Sequence, residues 1–166
     1  LRAQQATTEA ERAAAARKIL DRKLRQAQHS VAEGDFSGAM QICQELSQEE
    51  LGDQSTQEVV SSGKEQFFEA FNADLYMRAL DGYVFVTTLS VPKDASFVEK
   101  VRDESSDLPR VAKQLFTKSD FEHSVGAYKL ALVQDPDNEE IKAGLAEAEE
   151  KHQALQKVKA ERQEAA

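Results

Sequence analysis

The stretch KSDFEHSVGAYKLALVQDP, residues 118–136, carries the pattern that decides the fold. Its core-forming residues follow one another at spacings of 3, 4 and 3 and so share one side of a helix: Phe121, Ser124, Tyr128 and Ala131. The polar pair Ser119-Asp120 precedes this helix, and Asp135-Pro136 follows it. The short break before Phe121 predicts that the chain turns back on itself and forms an antiparallel helical hairpin.

The same spacing occurs twice more in the chain. One set is Phe36, Ala39, Cys43 and Leu46, and the other is Tyr76, Ala79, Tyr83 and Val86. Acidic turns, at 34–35 and 73–75, precede the two sets. A small second residue lets a partner helix approach closely, and the large residues one turn away fill the groove between the helices. The repetition therefore predicts three hairpins.

The stretch 118–136 resembles the second half of a tetratricopeptide repeat. The signature positions of that family are matched by Phe121, Ser124, Tyr128, Ala131 and Pro136, and its first helix is fitted by Val111, Ala112 and Leu115. The stretch from Gly34 to Leu46 is similar but lacks the closing proline. In the middle copy Phe67 or Phe68 stands where the family has a small residue, and Pro92 comes one position late. The copies are also 40 and 45 residues apart (36 to 76, and 76 to 121), against a family repeat of 34.

The resemblance implies an all-α fold: a right-handed stack of about three antiparallel helical hairpins, an α-solenoid, with a C-terminal capping helix. We expect a single tetratricopeptide-like domain over residues 1–166. Its hairpins are predicted at about 9–47, 55–91 and 105–134, with a linker helix at about 95–104 and a C-terminal helix at about 138–162.

Helix starts are predicted from Ser or Thr followed three residues later by Glu, which is the spacing of a capping box. Thr8, Ser55 and Ser96 have this spacing. Asp107 is the predicted N-cap of a further helix, because Pro109 then falls in its first turn. The stretch 83–89 is β-branched and aromatic and has the composition of a strand. We predict a buried helix there because the repeat spacing runs through it, and an α+β fold is the alternative.

Composition excludes several classes of function. The net charge of −9 disfavours nucleic-acid binding, which needs concentrated Lys and Arg. The lone Cys43 excludes an internal disulfide and a cysteine-based metal cluster. No apolar run approaches the ~18 residues of a membrane span, so we expect no membrane insertion. The chain begins with Leu1, so we expect a fragment or a processed chain, cytoplasmic and part of a larger protein.

No group of residues in the sequence has the spacing of a catalytic or metal site, and we expect a non-enzymatic protein without a cofactor or metal. His29, His123 and His152 lie far apart in polar helical surroundings and are expected at the surface. Cys43 occupies a core position of its repeat, which favours a small buried apolar residue over a nucleophile.

The resemblance implies a concave groove lined by the first helix of each hairpin. By register, its candidate partner-binding residues are Leu24, Gln28, Val31, Lys64, Phe68, Phe71, Lys113 and Phe116. The alternative is that the protein's own terminal helix fills the groove. Leu24 and Gln28 stand where some family members clamp a peptide carboxylate, so that clamp is expected to be absent. An extended or helical segment with apolar anchors is the expected ligand.

Three phenylalanines lie close together at Phe67, Phe68 and Phe71, and they cannot all face one stripe of a helix. Core packing and a binding or dimer contact are both open for this cluster. The predicted function is that of a protein–protein interaction module, a scaffold or assembly adaptor whose partner is another protein or peptide. The alternatives are a homodimer or other homo-oligomer assembled through the first and last helices, and an α+β ligand-binding or enzymatic domain.

Overall fold

The computed structural model describes residues 2–48, 52–90 and 93–165, and the side chains of 8–48, 53–90 and 93–165. Within these ranges the chain is all-α and forms no β-strand. The helices are α1 (Arg2–Ala32), α2 (Phe36–Leu46), α3 (Gly52–Asn72), α4 (Tyr76–Leu89), α5 (Ala95–Glu104), α6 (Leu108–Thr117), α7 (Phe121–Gln134) and α8 (Glu139–Ala165). The predicted all-α fold is confirmed.

The contacts of the chain divide it into two compact units. Unit 1 comprises Leu1–Gln66 and Gly82–Lys93, and unit 2 comprises Phe67–Asp81 and Asp94–Ala166. In unit 1, α1 packs against α2; in unit 2, α7 packs against both α6 and α8. The single domain expected over residues 1–166 stays a prediction, and the two units are described separately below.

Three turns of the chain have the same backbone geometry. Each has a left-handed residue at its centre: Gly34 with φ 80°, Asp74 with φ 61° and Ser119 with φ 64°. The N–H of the residue after each centre donates to a carbonyl five residues earlier, as Asp35 does to Ser30, Leu75 to Ala70 and Asp120 to Leu115. This hydrogen bond closes a Schellman-type helix end, which needs one left-handed residue. The helices before and after each turn are thus the repeated element of this fold.

The capping residues predicted at Thr8, Ser55 and Ser96 are wrong. Each residue lies inside its helix, because α1 starts at Arg2, α3 at Gly52 and α5 at Ala95. Helix-forming Ala, Arg and Gln residues precede Thr8 and extend α1 toward the N-terminus. For α5 the cap is an aspartate, since the Asp94 carboxylate accepts a 3.1 Å hydrogen bond from the N–H of Phe97.

Other helix ends show how acidic residues act at the turns. Asp107 occupies the predicted N-cap position of α6, but its carboxylate accepts from the Arg110 guanidinium at 3.1 Å rather than from a backbone N–H. Asp35 and Asp120 cap α2 and α7 by accepting from the N–H of Gly38 and His123. The predicted end of the middle hairpin at Val91 and Pro92 lies outside the described residues.

The strand-like stretch 83–89 belongs to α4, which makes the α+β alternative wrong for the described residues. Burial explains why packing overrides β propensity here. Phe85 and Val86 are buried, and both face Gly63 of α3 in unit 1; a Cβ added to Gly63 would lie 2.8 Å from the Phe85 ring. The Thr87 hydroxyl donates to the Tyr83 carbonyl at 2.9 Å, which satisfies this β-branched polar residue inside a helix.

Candidate binding groove between α6 and α8

A groove of about 730 Å³ lies in unit 2, between α6 and the first half of α8. Residues of α6 form one wall, residues of α8 form the other, and Tyr128 of α7 forms part of the floor. The lining residues are Pro109, Arg110, Lys113, Phe116, Thr117, Tyr128, Asn138, Glu140, Ile141, Ala143, Gly144 and Glu147. The volume is within the range of sites that bind a ligand or a few side chains of a peptide.

Glycine at position 144 determines the shape of the floor. A Cβ added to Gly144 would lie 2.6 Å from ring atoms of Tyr128 and 2.8 Å from its hydroxyl oxygen. The phenol end of Tyr128 therefore lies directly against the backbone of α8. Because this glycine brings α8 close to the ring, the terminal helix forms one wall of the groove.

The groove has apolar and charged parts. Phe116 is half-buried and packs edge-on against Phe121 with ring centroids 5.2 Å apart, while Ile141 is buried on the opposite wall. At the rim, the Lys113 ammonium lies 3.8 Å from the Glu140 carboxylate, and the Arg110 guanidinium lies 3.1 Å from the Asp107 carboxylate. These exposed pairs contribute little stability, so a ligand can displace them at low cost.

Burial raises the pKa of the Tyr128 phenol, and the negative charges of Glu147 and Glu140 raise it further. The phenol consequently stays protonated at neutral pH. Among the described residues its hydroxyl has no hydrogen-bond partner, although Tyr128 is only 6 % exposed. The hydroxyl oxygen is not one of the buried polar atoms that lack a partner, so it reaches solvent at the groove and can accept or donate a hydrogen bond there.

The predicted partner-binding residues fall into both units. Lys113 and Phe116 line the groove of unit 2. Phe68 and Phe71 also belong to unit 2 but do not line it, and the remaining four, Leu24, Gln28, Val31 and Lys64, belong to unit 1. Val31 is fully buried against solvent, whereas Leu24, Gln28 and Lys64 are half-buried. The role of these eight residues in binding stays a prediction.

The phenylalanine cluster is covered by α5, which the sequence did not indicate. Phe67 is fully buried, and its ring contacts those of Phe68, Phe71 and Phe97 at centroid distances of 5.0, 5.8 and 5.6 Å. The Lys100 ammonium lies 4.4 Å from the centre of the half-buried Phe68 ring. These contacts place Phe67 in the core of unit 2, whereas Phe68 and Phe71 are half-buried at its edge.

Sequence reasoning missed the α8 wall of the groove. Gly144 and Glu147, on this wall, belong to no sequence motif. A glycine inside a long helix that is otherwise rich in Ala and Glu was the available signal, since such a glycine often marks a close approach.

The described residues contain no group of three His, Cys, Asp or Glu side chains that could hold a metal ion. Cys43 is 1 % exposed, and burial raises the pKa of its thiol to about 11. His29 is exposed, and the half-exposed His123 bonds to the carboxylate of its own helix cap, Asp120, at 2.9 Å.

Among the helices described, none is long and apolar enough to cross a membrane. Searches with protein-family models, curated proteins and solved structures returned no match to this chain.

Proposed function

We propose that this chain is a protein-interaction module that binds a segment of a partner protein in the groove between α6 and α8. The observation that carries the proposal is the groove itself, which joins an apolar surface at Phe116 and Ile141 to the solvent-accessible hydroxyl of Tyr128, which has no partner among the described residues. Ligand sites typically combine an apolar lining with a few such polar groups. If the bound partner is a subunit of a larger protein complex, this chain acts in that complex as a scaffold or adaptor.

Resemblance to tetratricopeptide repeats supports this function. The three turns with the same left-handed residue recur 40 and 45 residues apart (34 to 74, and 74 to 119), as the sequence copies do. In that family, partner segments bind between first helices. Here α6 is the first helix of its hairpin, and α8 stands where the next first helix would follow. Two residues that the register of the repeat predicts for the binding groove, Lys113 and Phe116, line the groove between α6 and α8.

The groove can be blocked without disturbing the core. Ala143 is exposed and lines the groove, so Ala143→Trp places a large ring in the binding space. Ala154 is also exposed and lies three turns further along the same side of α8, about 16 Å away at 1.5 Å per residue. Ala154→Trp is therefore a matched control that adds the same ring outside the groove.

A displayed library of random twelve-residue peptides tests the proposal. We expect the unmodified chain to enrich one family of peptides. The control variant Ala154→Trp should enrich the same family. Ala143→Trp should lose this enrichment while its helical circular dichroism stays unchanged. The proposal fails if the unmodified chain enriches no family, or if both tryptophan variants enrich the same one.

A second candidate function is self-association through the last part of α8. Leu155 and Val158 are 40 % and 44 % exposed and lie on one side of this helix, and residues 153–165 are exposed throughout. Exposed apolar side chains at such spacing can pair helices of two copies. Sedimentation velocity decides this function: a concentration-dependent dimer that the Leu155→Gln, Val158→Gln variant abolishes supports it, and a monomer at several hundred micromolar contradicts it.

A further inference from the structure

One carboxylate among the charged side chains that line the groove, that of Glu147, is not part of an ion pair within the described residues. Four charged side chains line the groove, and two opposite pairs account for three of them: Arg110 with Asp107, and Lys113 with Glu140. Glu147, one turn beyond Gly144 on the α8 wall, has no ion pair within the described part of the chain. The groove thus presents an unneutralised negative charge, in a protein whose net charge is already −9.

The unpartnered hydroxyl of Tyr128 adds a second polar group on the same side of the groove. Its phenol end lies against Gly144, and burial, followed by the negative charge of Glu147, raises the pKa of the phenol. A protonated phenol oxygen can still accept a hydrogen bond through its lone pairs. The hydroxyl and the carboxylate both line the groove and both offer acceptor oxygens to a group that donates several hydrogen bonds and carries positive charge.

We propose that the groove recognises a partner segment that presents a Lys or Arg side chain next to an apolar side chain. The cation lies between Glu147 and the Tyr128 hydroxyl, and the apolar side chain packs against Phe116 and Ile141. This inference rests on the proposed function and names the chemistry of its ligand.

Alternative ligands fit the groove less well. An acidic segment could reach a cation only by displacing Asp107 from Arg110 or Glu140 from Lys113, and Glu147 would repel it. A wholly apolar segment would cover the Tyr128 hydroxyl and leave it without a partner, which is unfavourable for a polar group that binding removes from water. A cationic side chain satisfies both groups at once, since an ammonium has three N–H donors and a guanidinium has five.

The composition of the selected peptides tests this inference separately from the proposed function. We expect the enriched family to carry Lys or Arg within two positions of a large apolar residue. Selection on Glu147→Gln should retain the apolar residue and lose the preference for Lys or Arg. An enriched family without that preference, or one rich in Asp and Glu, overturns the inference and leaves the proposed function intact. A selection with no enriched family overturns both.

Affinity measurements then locate the cation. In one selected peptide, replacing the Lys or Arg by Gln should weaken binding about tenfold to the unmodified chain, the size expected for a charge-assisted hydrogen bond. The same replacement in the peptide should change its binding to the Glu147→Gln variant less than about twofold, because the carboxylate that pairs with the cation is absent from that variant. Tyr128→Phe keeps the ring and should weaken binding of the peptide that carries Lys or Arg about threefold or more. Binding of the peptide in which Gln replaces that residue should change little.

The control for these measurements is Glu161→Gln, which removes one exposed carboxylate from the same helix outside the groove. The Glu161→Gln variant should still bind the peptide with Lys or Arg about tenfold more tightly than the peptide with Gln. Equal behaviour of Glu161→Gln and Glu147→Gln would overturn the assignment of the cation to Glu147. Self-association of the peptide-free chain that Glu147→Gln abolishes would assign the groove to a second copy and overturn the inference as well.

Discussion

The hydroxyl of Ser124 on α7 donates a 2.8 Å hydrogen bond to the carbonyl oxygen of Ala112 on α6. Both residues are fully buried, and each occupies a position at which the repeat pattern has a small side chain. The small side chain of Ser124 allows the two helices to approach, and its hydroxyl links them.

Ser124→Ala should lower the free energy of unfolding by about 1 kcal/mol, because one buried hydrogen bond is lost while the Ala112 carbonyl keeps its place in the backbone ladder of α6. Urea denaturation measures the change. Ser106→Ala is the control, since that hydroxyl bonds to the Asp103 carbonyl at an exposed site. Equal effects of the two substitutions would show that the contact between α6 and α7 contributes nothing specific.

The left-handed turn residues predict opposite effects of glycine and alanine. Ser119→Gly should stabilise the chain by up to about 1 kcal/mol, since glycine adopts a positive φ without steric cost. Gly34→Ala should destabilise it by about the same amount. Thermal unfolding measures both changes: the melting temperature should rise for Ser119→Gly and fall for Gly34→Ala. Lys118→Gly is the control, because Lys118 has φ −81° and gains nothing from glycine; stabilisation by this control would contradict the explanation.

Tyr76 predicts a loss of stability at high pH. Burial, and then the hydrogen bond and the negative charge of Asp74, raise the pKa of its phenol to about 12. The folded chain therefore holds this proton where the unfolded chain, with a pKa near 10, releases it. The Tyr76 contribution is complete below about pH 10 and is lost as the pH rises toward 12.

Asp74→Asn removes the charge but tolerates the left-handed φ. It should lower the pKa of Tyr76 only part of the way, because burial is the largest cause. Absorbance at 295 nm follows phenolate formation. An unchanged titration in Asp74→Asn would show that Asp74 does not act on this phenol.

Cys43 should react with iodoacetamide only when unit 1 opens. Its side chain is 1 % exposed, and its pKa of about 11 leaves little thiolate at neutral pH. The alkylation rate should increase with urea in parallel with unfolding. Ser37→Cys places a second thiol at an exposed position of the same helix, and it should react at once in the native state. Comparable native rates at the two positions would contradict the burial of Cys43.

The helices and turns could largely be predicted from sequence because their signals are local. The spacing of 3, 4 and 3 located α2, α4 and α7, and it correctly outweighed the β propensity of 83–89. The helix start predicted at Thr8 is wrong because good helix formers precede it and outweigh a capping box. The start of α3 at Gly52, three residues before Ser55, has no such explanation in the sequence. The middle hairpin departs most from the pattern: Phe67 stands where Ala27 and Ala112 do, and the close approach lies at Gly63, one turn earlier.

The groove was predicted only from its α6 side. Lys113 and Phe116 follow from the register of the repeat, but the α8 wall depends on how far Gly144 lets that helix approach Tyr128. Such a distance between two helices is set by packing of residues far apart in sequence, and no local pattern reports it. The covering of Phe68 by Phe97 and Lys100 escaped prediction for the same reason.

Hydrogen exchange of the full chain, with and without a selected peptide, tests most directly whether the groove binds a partner segment. We expect the peptide to slow amide exchange in α6 and in 139–148 of α8, because a ligand stabilises the elements that hold it against local opening. Exchange in 153–165 and in 8–19 of α1 should stay unchanged. Protection confined to other helices, or equal protection in the Ala143→Trp variant, would contradict the proposed function.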